Sequence, residues 1–277
     1  MSRTFLKWLG NKTRLIPEIE KVLPKGKRLV EPFVGSGAVT LAFKYPAYSI
    51  GDANEDILSV WSALLARPEA FIEEVERLFQ TDPTDVRSYY EIRERFNRAQ
   101  DPWERAICFM YLNRYGFNGL CRYNRDGLFN VAHGRYKAVY FPKQELHLAA
   151  NHLQAAFVEG RGWGVEIVSG GFRKHLEKVV QGDVVYCDPP YIPISPTASF
   201  TGYTQEGFTL DDHRYLAEKA DNLRSRGIPT VISNSACALT EEIYSSATKL
   251  HPVTVRRTIS AKVETRNLVS EYLIVYE

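Results

Sequence analysis

Apolar and polar residues alternate near the start of the chain in blocks that predict a sheet with helices packed on it. A short apolar run meets a glycine turn at residues 35–37 and continues into helix-forming residues as far as Phe43. This succession predicts a strand, a turn and a helix. A second strand over Tyr48–Asp52 ends in an acid, and Asn54 is a suitable N-cap for a helix that continues to Leu65.

The same pattern returns in the last third of the chain. A buried-strand pattern covers residues 182–187, a helix is predicted near Leu210–Arg226, and another strand follows at Thr230–Ser233. Residues 250–257 and 271–276 alternate like an antiparallel pair. The predicted fold class is therefore α/β, with an open sheet that begins near the N-terminus.

The segment between these two parts has a different composition. Residues 69–104 are rich in acids at helical spacing, whereas residues 111–143 contain six cations, one acid and eight aromatic residues. Glycines and asparagines in the second stretch favour loops over one long helix. We therefore predict a catalytic domain formed by residues 1–55 and 143–277, with a mostly helical domain inserted over residues 56–142.

The overall composition excludes several classes of protein. The chain has 277 residues with 18 glycines and 14 prolines, which excludes collagen-like and low-complexity sequences. The net charge of +2 leaves a nucleic-acid partner open, since the distribution of charge decides that question. We expect a cytoplasmic protein, because no apolar stretch is long enough for a membrane helix and the N-terminus is too charged for a signal peptide. The four cysteines form no Cys-x-x-Cys pair, so we expect reduced thiols and no metal site: Cys108, Cys121, Cys187 and Cys237.

The glycine turn and the acid after the second strand are typical of nucleotide-type sites. Glu31 stands just before the turn, where it would repel a pyrophosphate, and Thr40 replaces the third glycine of the dinucleotide pattern. A cationic adenosine cofactor such as S-adenosylmethionine suits this turn better, with Asp52 accepting its ribose hydroxyls. A structural turn with a helix-capping acid is the alternative, and the turn alone leaves both interpretations open.

The tetrapeptide Asp188-Pro189-Pro190-Tyr191 follows a predicted strand, at the edge where open α/β sheets bind ligands. Two acceptors that each take one N–H of an exocyclic amine favour a tetrahedral nitrogen whose lone pair points at a methyl donor. Asp188 supplies one acceptor, the rigid Pro189 carbonyl supplies the other, and Tyr191 can stack on the base. Such a base must leave the duplex, so the motif implies base flipping. A Pro-Pro turn closed by a core tyrosine is the weaker alternative, because the glycine turn and Asp52 accompany the motif.

Four segments of the chain, taken in order, carry a resemblance to a known family. They are Phe5–Lys12, Glu31–Gly37, Tyr111–Asn124 and Asp188–Tyr191. These segments resemble the Dam family of DNA adenine-N6 methyltransferases, in the motif order of its α group, and the resemblance covers essentially the whole chain. It implies a Rossmann-like, S-adenosylmethionine-dependent methyltransferase sheet with an inserted target-recognition domain. The usual target of the family is adenine within GATC in double-stranded DNA.

The resemblance implies roles for individual residues of this sequence. The catalytic positions are Asp188, Pro189 and Tyr191. The positions implied to contact S-adenosylmethionine are Trp8, Lys12, Asp52 and Asp188. We add Phe33 and Gly35, which lie at the glycine turn. The DNA-binding positions are Lys7, Phe117, Asn118, Leu120, Arg122 and Tyr136.

Residues 111–143 also have the composition of a nucleic-acid surface independently of the resemblance, with cations for phosphates and aromatic rings for stacking. Arg122 is the candidate for a bidentate contact with a guanine edge. Phe117 is the candidate wedge beside the flipped adenine, with a core position as its alternative. His133 is interpreted as a loop histidine near DNA, and the loop over residues 192–207 is expected to close over the flipped base. Two further basic patches comprise Arg3, Lys7, Lys12 and Arg14, and Arg256, Arg257, Lys262 and Arg266.

Two other functions remain alternatives at this point. One is a methyltransferase that acts on cytosine N4 in DNA or on adenine in RNA, although aspartate in the tetrapeptide favours adenine and the large insertion favours duplex DNA. The other is a DNA-binding regulator without catalytic activity, in which a damaged tetrapeptide or glycine turn would be expected. A cysteine nucleophile at Cys187 is disfavoured, because this residue ends a predicted strand and is expected to be buried.

Overall fold

The computed structural model describes residues 4–156, 164–193, 207–256 and 268–277. Within these ranges the chain forms one seven-stranded sheet in the order β3-β2-β1-β4-β5-β7-β6. The strands are Arg28–Glu31 (β1), Ala47–Gly51 (β2), Val165–Val168 (β3), Asp183–Cys187 (β4), Thr230–Ser235 (β5), Lys249–Arg256 (β6) and Leu268–Tyr276 (β7). The first five strands in this spatial order are parallel, whereas β7 runs antiparallel to both β5 and β6. The predicted α/β fold class and the antiparallel pair at the end of the chain are confirmed.

Helices cover the sheet and fill the segment between β2 and β3. They are Ile16–Ile19 (α1), Ala38–Ala42 (α2), Glu55–Ala66 (α3), Pro68–Phe79 (α4), Val86–Arg98 (α5), Pro102–Tyr115 (α6), Lys143–Ala155 (α7), Gly171–Glu177 (α8), Leu210–Ser225 (α9) and Ala238–Ile243 (α10). Local signals fix several of their first turns. Asn54 caps α3 by accepting hydrogen bonds from the backbone N–H groups of Asp56 and Ile57, as predicted, and a reciprocal Thr209–Asp212 capping box begins α9.

The central strands are buried along their whole length because helices pack on both faces of the sheet. β3 was not predicted from the sequence: it has four residues, three of them only partly buried, and lies at the edge of the sheet. The strand order reverses between β1 and β4. At such a reversal, the carboxyl ends of the strands diverge and leave the crevice in which open α/β sheets bind ligands.

One hydrophobic cluster extends from one face of the sheet into the helices α3 to α7, and it joins Leu29 and Ile50 of the strands to Trp61 and Phe109 of the helices. A second cluster covers the opposite face beneath α9. The division into residues 1–55 with 143–277 and residues 56–142 stays a prediction. None of the helices in the described ranges combines the length and the apolar character needed to cross a bilayer.

Candidate active site

The glycine turn joins β1 to α2 at the carboxyl edge of the sheet. The backbone N–H of Val34 donates to the carbonyl of Gly51 at 2.8 Å, which ties the turn to the end of β2. Gly35 has a φ of +45°, and a Cβ atom added there would lie 2.6 Å from Nε1 of Trp8. Only glycine therefore allows both the turn conformation and the close approach of the Trp8 indole.

Asp52 follows β2 and is held against this turn by the backbone. Its Oδ2 accepts a hydrogen bond from the N–H of Gly35 at 2.9 Å, and its Oδ1 accepts one from the N–H of Asn54 at 2.9 Å. Burial raises the pKa of Asp52 to about 6, although these backbone hydrogen bonds favour the ionised form. Each carboxylate oxygen retains a further lone pair, so the group can still accept hydroxyl donors.

Glu31 lies beneath the turn and does not face the crevice as a charge. Its Oε2 accepts hydrogen bonds from the N–H and the hydroxyl of Thr40, in the first turn of α2. Burial raises the pKa of Glu31 to about 8, so the group is mostly protonated at neutral pH. The raised pKa weakens the repulsion of a pyrophosphate that is expected from Glu31.

This buried acid leads to a prediction about stability. A carboxyl group whose pKa is raised in the folded state destabilises that state progressively as the pH rises from its unfolded value to about 8. Glu31→Gln keeps an acceptor for Thr40 but does not ionise. We expect the variant to gain about 2–4 kcal/mol of stability relative to the parent between pH 4.5 and pH 9, measured by urea denaturation at several pH values. A difference in stability that does not change with pH would contradict this prediction.

Asp188 follows β4, and its two oxygens have different environments. The Lys12 Nζ lies 2.6 Å from Oδ2 and also donates to the carbonyl of Gly10 at 2.8 Å. In contrast, Oδ1 is buried and has no hydrogen-bond partner among the described residues. Burial raises the pKa of Asp188, and the adjacent Lys12 ammonium opposes this shift. Pro189, the next residue, is buried. Among the described residues, one oxygen is therefore fixed by a cation while the other has no donor.

The end of the tetrapeptide is anchored to β5 and β7. The N–H of Ile192 donates to Oδ1 of Asn234 at 2.9 Å, and the hydroxyl of Ser235 donates to the Ile192 carbonyl at 2.8 Å. The hydroxyl of Tyr191 donates to Oε2 of Glu271 at 2.8 Å. These three partners were not singled out from the sequence, although a strand that ends in Ser-Asn-Ser is an unusual polar signal.

Phe33, two residues before the turn, belongs to a small aromatic cluster at this edge of the sheet. Its ring stacks on Phe172 with a centroid distance of 5.3 Å and contacts the edge of Phe208 at 5.8 Å. Phe172 lies in the first turn of α8, and Phe208 precedes α9. Phe33 remains partly exposed. It therefore offers an apolar wall at the carboxyl edge of the sheet.

Lys7 joins the N-terminal segment to the end of α6. The side-chain amide of Asn113 accepts from the N–H of Lys7 at 2.9 Å and donates to its carbonyl at 2.7 Å. The Lys7 ammonium donates to the Arg114 carbonyl at 3.0 Å and lies 4.4 Å from the centroid of the Tyr136 ring. Burial lowers the pKa of Lys7, and the Arg114 charge adds to this effect. Asn113 was missed in the sequence, and it places Lys7 directly beside the helix that leads into residues 111–143.

Several predicted DNA-binding residues lie on the outside of the 111–143 segment. The Phe117 side chain is 51% exposed, which excludes the alternative that it is a core residue. Asn118 has a φ of 54°, and its N–H donates to the hydroxyl of Tyr136 at 2.9 Å. Arg122 is exposed, and its Nε donates to the side chain of Asn130 at 2.8 Å. The predicted loop structure is confirmed, since α6 ends at Tyr115.

Two other residues of this segment point inward. Leu120 is partly buried against the main hydrophobic cluster. His133 is buried, with its ring centroid 5.1 Å from that of Tyr89 and its backbone bridged to Gly116. His133 lies in a loop segment, as predicted, but its ring packs inside that segment; its proximity to DNA stays a prediction. Parts of the predicted mobile loop and basic patches lie outside the described residues: Arg3, residues 194–206, the side chain of Arg256, Arg257, Lys262 and Arg266.

The sequence matches a family described as D12 class N6 adenine-specific DNA methyltransferase over residues 8–259. A DNA adenine methylase of Salmonella typhi is 45% identical over 276 residues, which cover 100% of this chain and 96% of the relative. The DNA adenine methylase of Escherichia coli K12 is 44% identical over the same shares of the two chains. That of Vibrio cholerae is 40% identical over 275 residues, or 99% of this chain and 96% of the relative. The chain belongs to the D12 class of N6 adenine-specific DNA methyltransferases.

Membership of this family decides between the alternatives that the sequence left open. The protein is an adenine-specific DNA methyltransferase, so the cytosine, RNA and non-catalytic alternatives are excluded. Cys187 of the methyltransferase is fully buried at the end of β4, and burial raises the pKa of its thiol. A thiolate nucleophile at this position is therefore disfavoured, in agreement with the prediction.

Proposed function

We propose that this methyltransferase is a cytoplasmic enzyme that transfers a methyl group from S-adenosylmethionine to N6 of an adenine flipped out of double-stranded DNA, within GATC. The observation that carries the proposal is the asymmetry of Asp188. Lys12 occupies Oδ2, while Oδ1 is buried and lacks a partner among the described residues. A buried acceptor of this kind is costly unless a ligand satisfies it, and the amine of an extruded adenine provides the missing donor.

Activation of the amine depends on two acceptors, each of which accepts a hydrogen bond from one of its N–H groups. Asp188 Oδ1 accepts one N–H and the Pro189 carbonyl accepts the other, which draws the nitrogen toward tetrahedral geometry. Its lone pair then leaves conjugation with the ring and is directed at the methyl carbon. Lys12 favours the ionised carboxylate against the effect of burial. The N–C bond would form as the S–CH₃ bond of the methyl donor breaks, with a neutral thioether as the leaving group. The surplus proton on N6 is then next to Asp188 Oδ1, which can pass it to water.

The residues at the glycine turn fit a cationic adenosine cofactor. S-adenosylmethionine supplies an electrophilic methyl group on a positively charged sulfur. Asp52 and Asp188 place two carboxylates at this edge of the sheet, and the close approach of Trp8 to Gly35 leaves a flat wall at the turn. Phe33 offers a second apolar surface. Lys12 was predicted to contact the cofactor directly; its ion pair supports the proposal that it acts through Asp188.

The exposed residues of the 111–143 segment support the proposal that residues 56–142 recognise the target. Phe117 is an exposed ring on a short 3₁₀ turn, as a wedge between base pairs requires. Arg122 presents a guanidinium that Asn130 orients. Lys7 approaches the same segment from the N-terminal arm and lies over Tyr136. Asn118 is exposed and completes the proposed recognition surface, whereas Leu120 packs partly against the core and supports that surface from below.

The experiment that tests the proposed function is transfer of tritiated methyl groups to short duplexes that contain GATC or one substitution at each of its positions. We expect rapid labelling of the GATC duplex and labelling of N6-methyladenine only. Every substituted duplex should be labelled more slowly, and replacing the central adenine should abolish labelling. Equal labelling of all duplexes that retain the adenine would refute the proposed sequence specificity, and labelled cytosine would refute the proposed target.

Arg122→Ala is expected to relax discrimination at one guanine of the site. Each good bidentate contact contributes about 1–3 kcal/mol to discrimination against the wrong base, so the preference at that position should fall about 10-fold or more. The same series of substituted duplexes measures this preference, and the affinity for S-adenosylmethionine should be unchanged. Arg125→Ala, three residues beyond Arg122 in the same loop, is the matched control. A uniform loss of rate on all duplexes would assign Arg122 to the phosphate backbone instead.

A further inference from the structure

The hydroxyl of Tyr191 has a charged partner on a distant part of the chain. It donates to Oε2 of Glu271 at 2.8 Å. Tyr191 ends the tetrapeptide after β4, whereas Glu271 lies in β7, where it pairs in register with Ser235 of β5 and Val253 of β6. A hydrogen bond to a carboxylate is shorter and stronger than one between neutral groups. The strand β7, the last along the chain, therefore contacts the catalytic motif through Glu271.

This contact completes a set of restraints on the Tyr191 ring. The ammonium of Lys12, which pairs with Asp188, lies 4.9 Å from the ring centroid. The backbone just beyond the ring is fixed to Asn234 of β5 through the N–H of Ile192. A tyrosine ring has two rotatable side-chain bonds, and these contacts restrict both: the cation lies near its face and Glu271 fixes its tip.

We propose that Glu271 is a positioning residue for methyl transfer, which holds the Tyr191 ring in the orientation on which the extruded adenine stacks. The inference rests on the proposed function, because it requires an adenine on Tyr191. Glu271 acts through the tyrosine hydroxyl and needs no contact with the base or the cofactor. Stacking on an aromatic ring stabilises an extruded base, so the orientation of this ring affects how long the adenine stays in place.

The hydrogen bond, and not the negative charge, is the useful contribution of Glu271. Its charge raises the pKa of Asp188, which disfavours the ionised form that must accept the amine proton. A glutamine at this position would keep an oxygen acceptor for the Tyr191 hydroxyl and remove the charge. The two contributions can therefore be separated by substitution.

The test is a double-mutant cycle on the single-turnover rate of methyl transfer, with 2-aminopurine in place of the target adenine as a parallel fluorescence probe of flipping. Glu271→Ala and Tyr191→Phe should each lower the rate about 10-fold, the size expected for a lost hydrogen bond to a charged group. The double variant should be no slower than the slower single variant. Glu271→Gln should retain most of the rate. The 2-aminopurine signal should fall in the two impaired variants, while the affinity for S-adenosylmethionine stays constant.

A second tyrosine–glutamate pair provides a matched control: its tyrosine, Tyr272, lies next to Glu271 in β7, and its glutamate lies in α10. The hydroxyl of Tyr272 donates to Oε1 of Glu241 at 2.7 Å, in an exposed pair of the same chemistry. Glu241→Ala should leave both the rate and the flipping signal unchanged. A loss of rate in Glu241→Ala equal to that in Glu271→Ala would indicate a general effect on β7 and would overturn the proposal.

Losses that multiply in the double variant, to about 100-fold, would show that Glu271 acts independently of Tyr191 and would also overturn it. If Glu271→Ala fails to fold, Glu271→Asp takes its place in the cycle, because its shorter side chain withdraws the carboxylate from the Tyr191 hydroxyl. This variant must lower the rate in the parent and be without effect in the Tyr191→Phe background. A parent enzyme that labels no adenine would instead refute the proposed function. An active parent with multiplying losses would refute only the role of Glu271.

Discussion

Asp188→Asn is expected to lower the rate of methyl transfer by about 10²–10³-fold at saturating cofactor, the loss typical of removing one preorganised hydrogen-bonding group from an active site. Lys12 lies 2.6 Å from Oδ2, so the asparagine oxygen will keep that position and accept from the ammonium. The amide NH₂ then replaces Oδ1. A donor will face the N–H of adenine where an acceptor is needed, and the amine cannot be drawn toward tetrahedral geometry.

Single-turnover transfer of tritiated methyl groups measures this loss without the influence of product release. Thermal denaturation provides the control for folding, since the substitution also leaves the Lys12 ammonium without its counter-charge. Glu31→Gln is a second control, because this buried acid lies near Asp188 but is assigned no contact with the amine. Retention of a nearly full rate by Asp188→Asn would eliminate the proposed mechanism, including the roles of Pro189 and Tyr191.

The second large effect is expected from alanine substitutions at the two glycines of the turn. Gly37→Ala should lose folding stability, whereas Gly35→Ala should lose cofactor affinity. Gly37 has a φ of +68°, and an added Cβ would collide with the ring of Trp61, which is fully buried. Because the core cannot move away, we expect Gly37→Ala to lose about 2–4 kcal/mol of folding stability from overpacking and backbone strain. Urea denaturation measures this loss.

Gly35→Ala should instead act on cofactor binding. The added Cβ would lie 2.6 Å from the Trp8 indole, which is partly exposed and can shift outward. We expect a smaller loss of stability than in Gly37→Ala, and an affinity for S-adenosylmethionine that falls on the order of 10-fold, or about 1.4 kcal/mol. Isothermal titration calorimetry on both variants distinguishes the two effects. A Gly35→Ala protein that binds the cofactor like the parent would remove Trp8 and Gly35 from the proposed cofactor site.

The parts of the fold that sequence reasoning predicted correctly are those with local signals. The glycine turn, the acid at the end of β2 and the Asn54 cap each depend on a few consecutive residues, and the structure places them as expected. β3 was missed because its four residues are mostly half-buried and offer too short a pattern. The burial of the His133 ring was not predicted, because it depends on packing against Tyr89, which lies far away in the sequence.

The chemistry of the site was harder to predict than its location. The motif identified Asp188, but nothing in its neighbourhood indicates that Lys12 neutralises one of its oxygens. The raised pKa of Glu31 could not be predicted, because it depends on complete burial, which no local pattern reveals. Asn113 and Glu271 each contact residues on other elements. Such long-range pairs arise only when the sheet has formed.

The position of β7 between β5 and β6 has a consequence for biosynthesis. Translation delivers residues in order, so β5 and β6 leave the ribosome before the strand that must separate them. Until residue 276 has emerged, β5 keeps an unpaired edge, which is a hazard for aggregation, and Tyr191 lacks its carboxylate partner. A nascent chain, or one cut before residue 268, therefore carries the entire tetrapeptide without the strand that braces it.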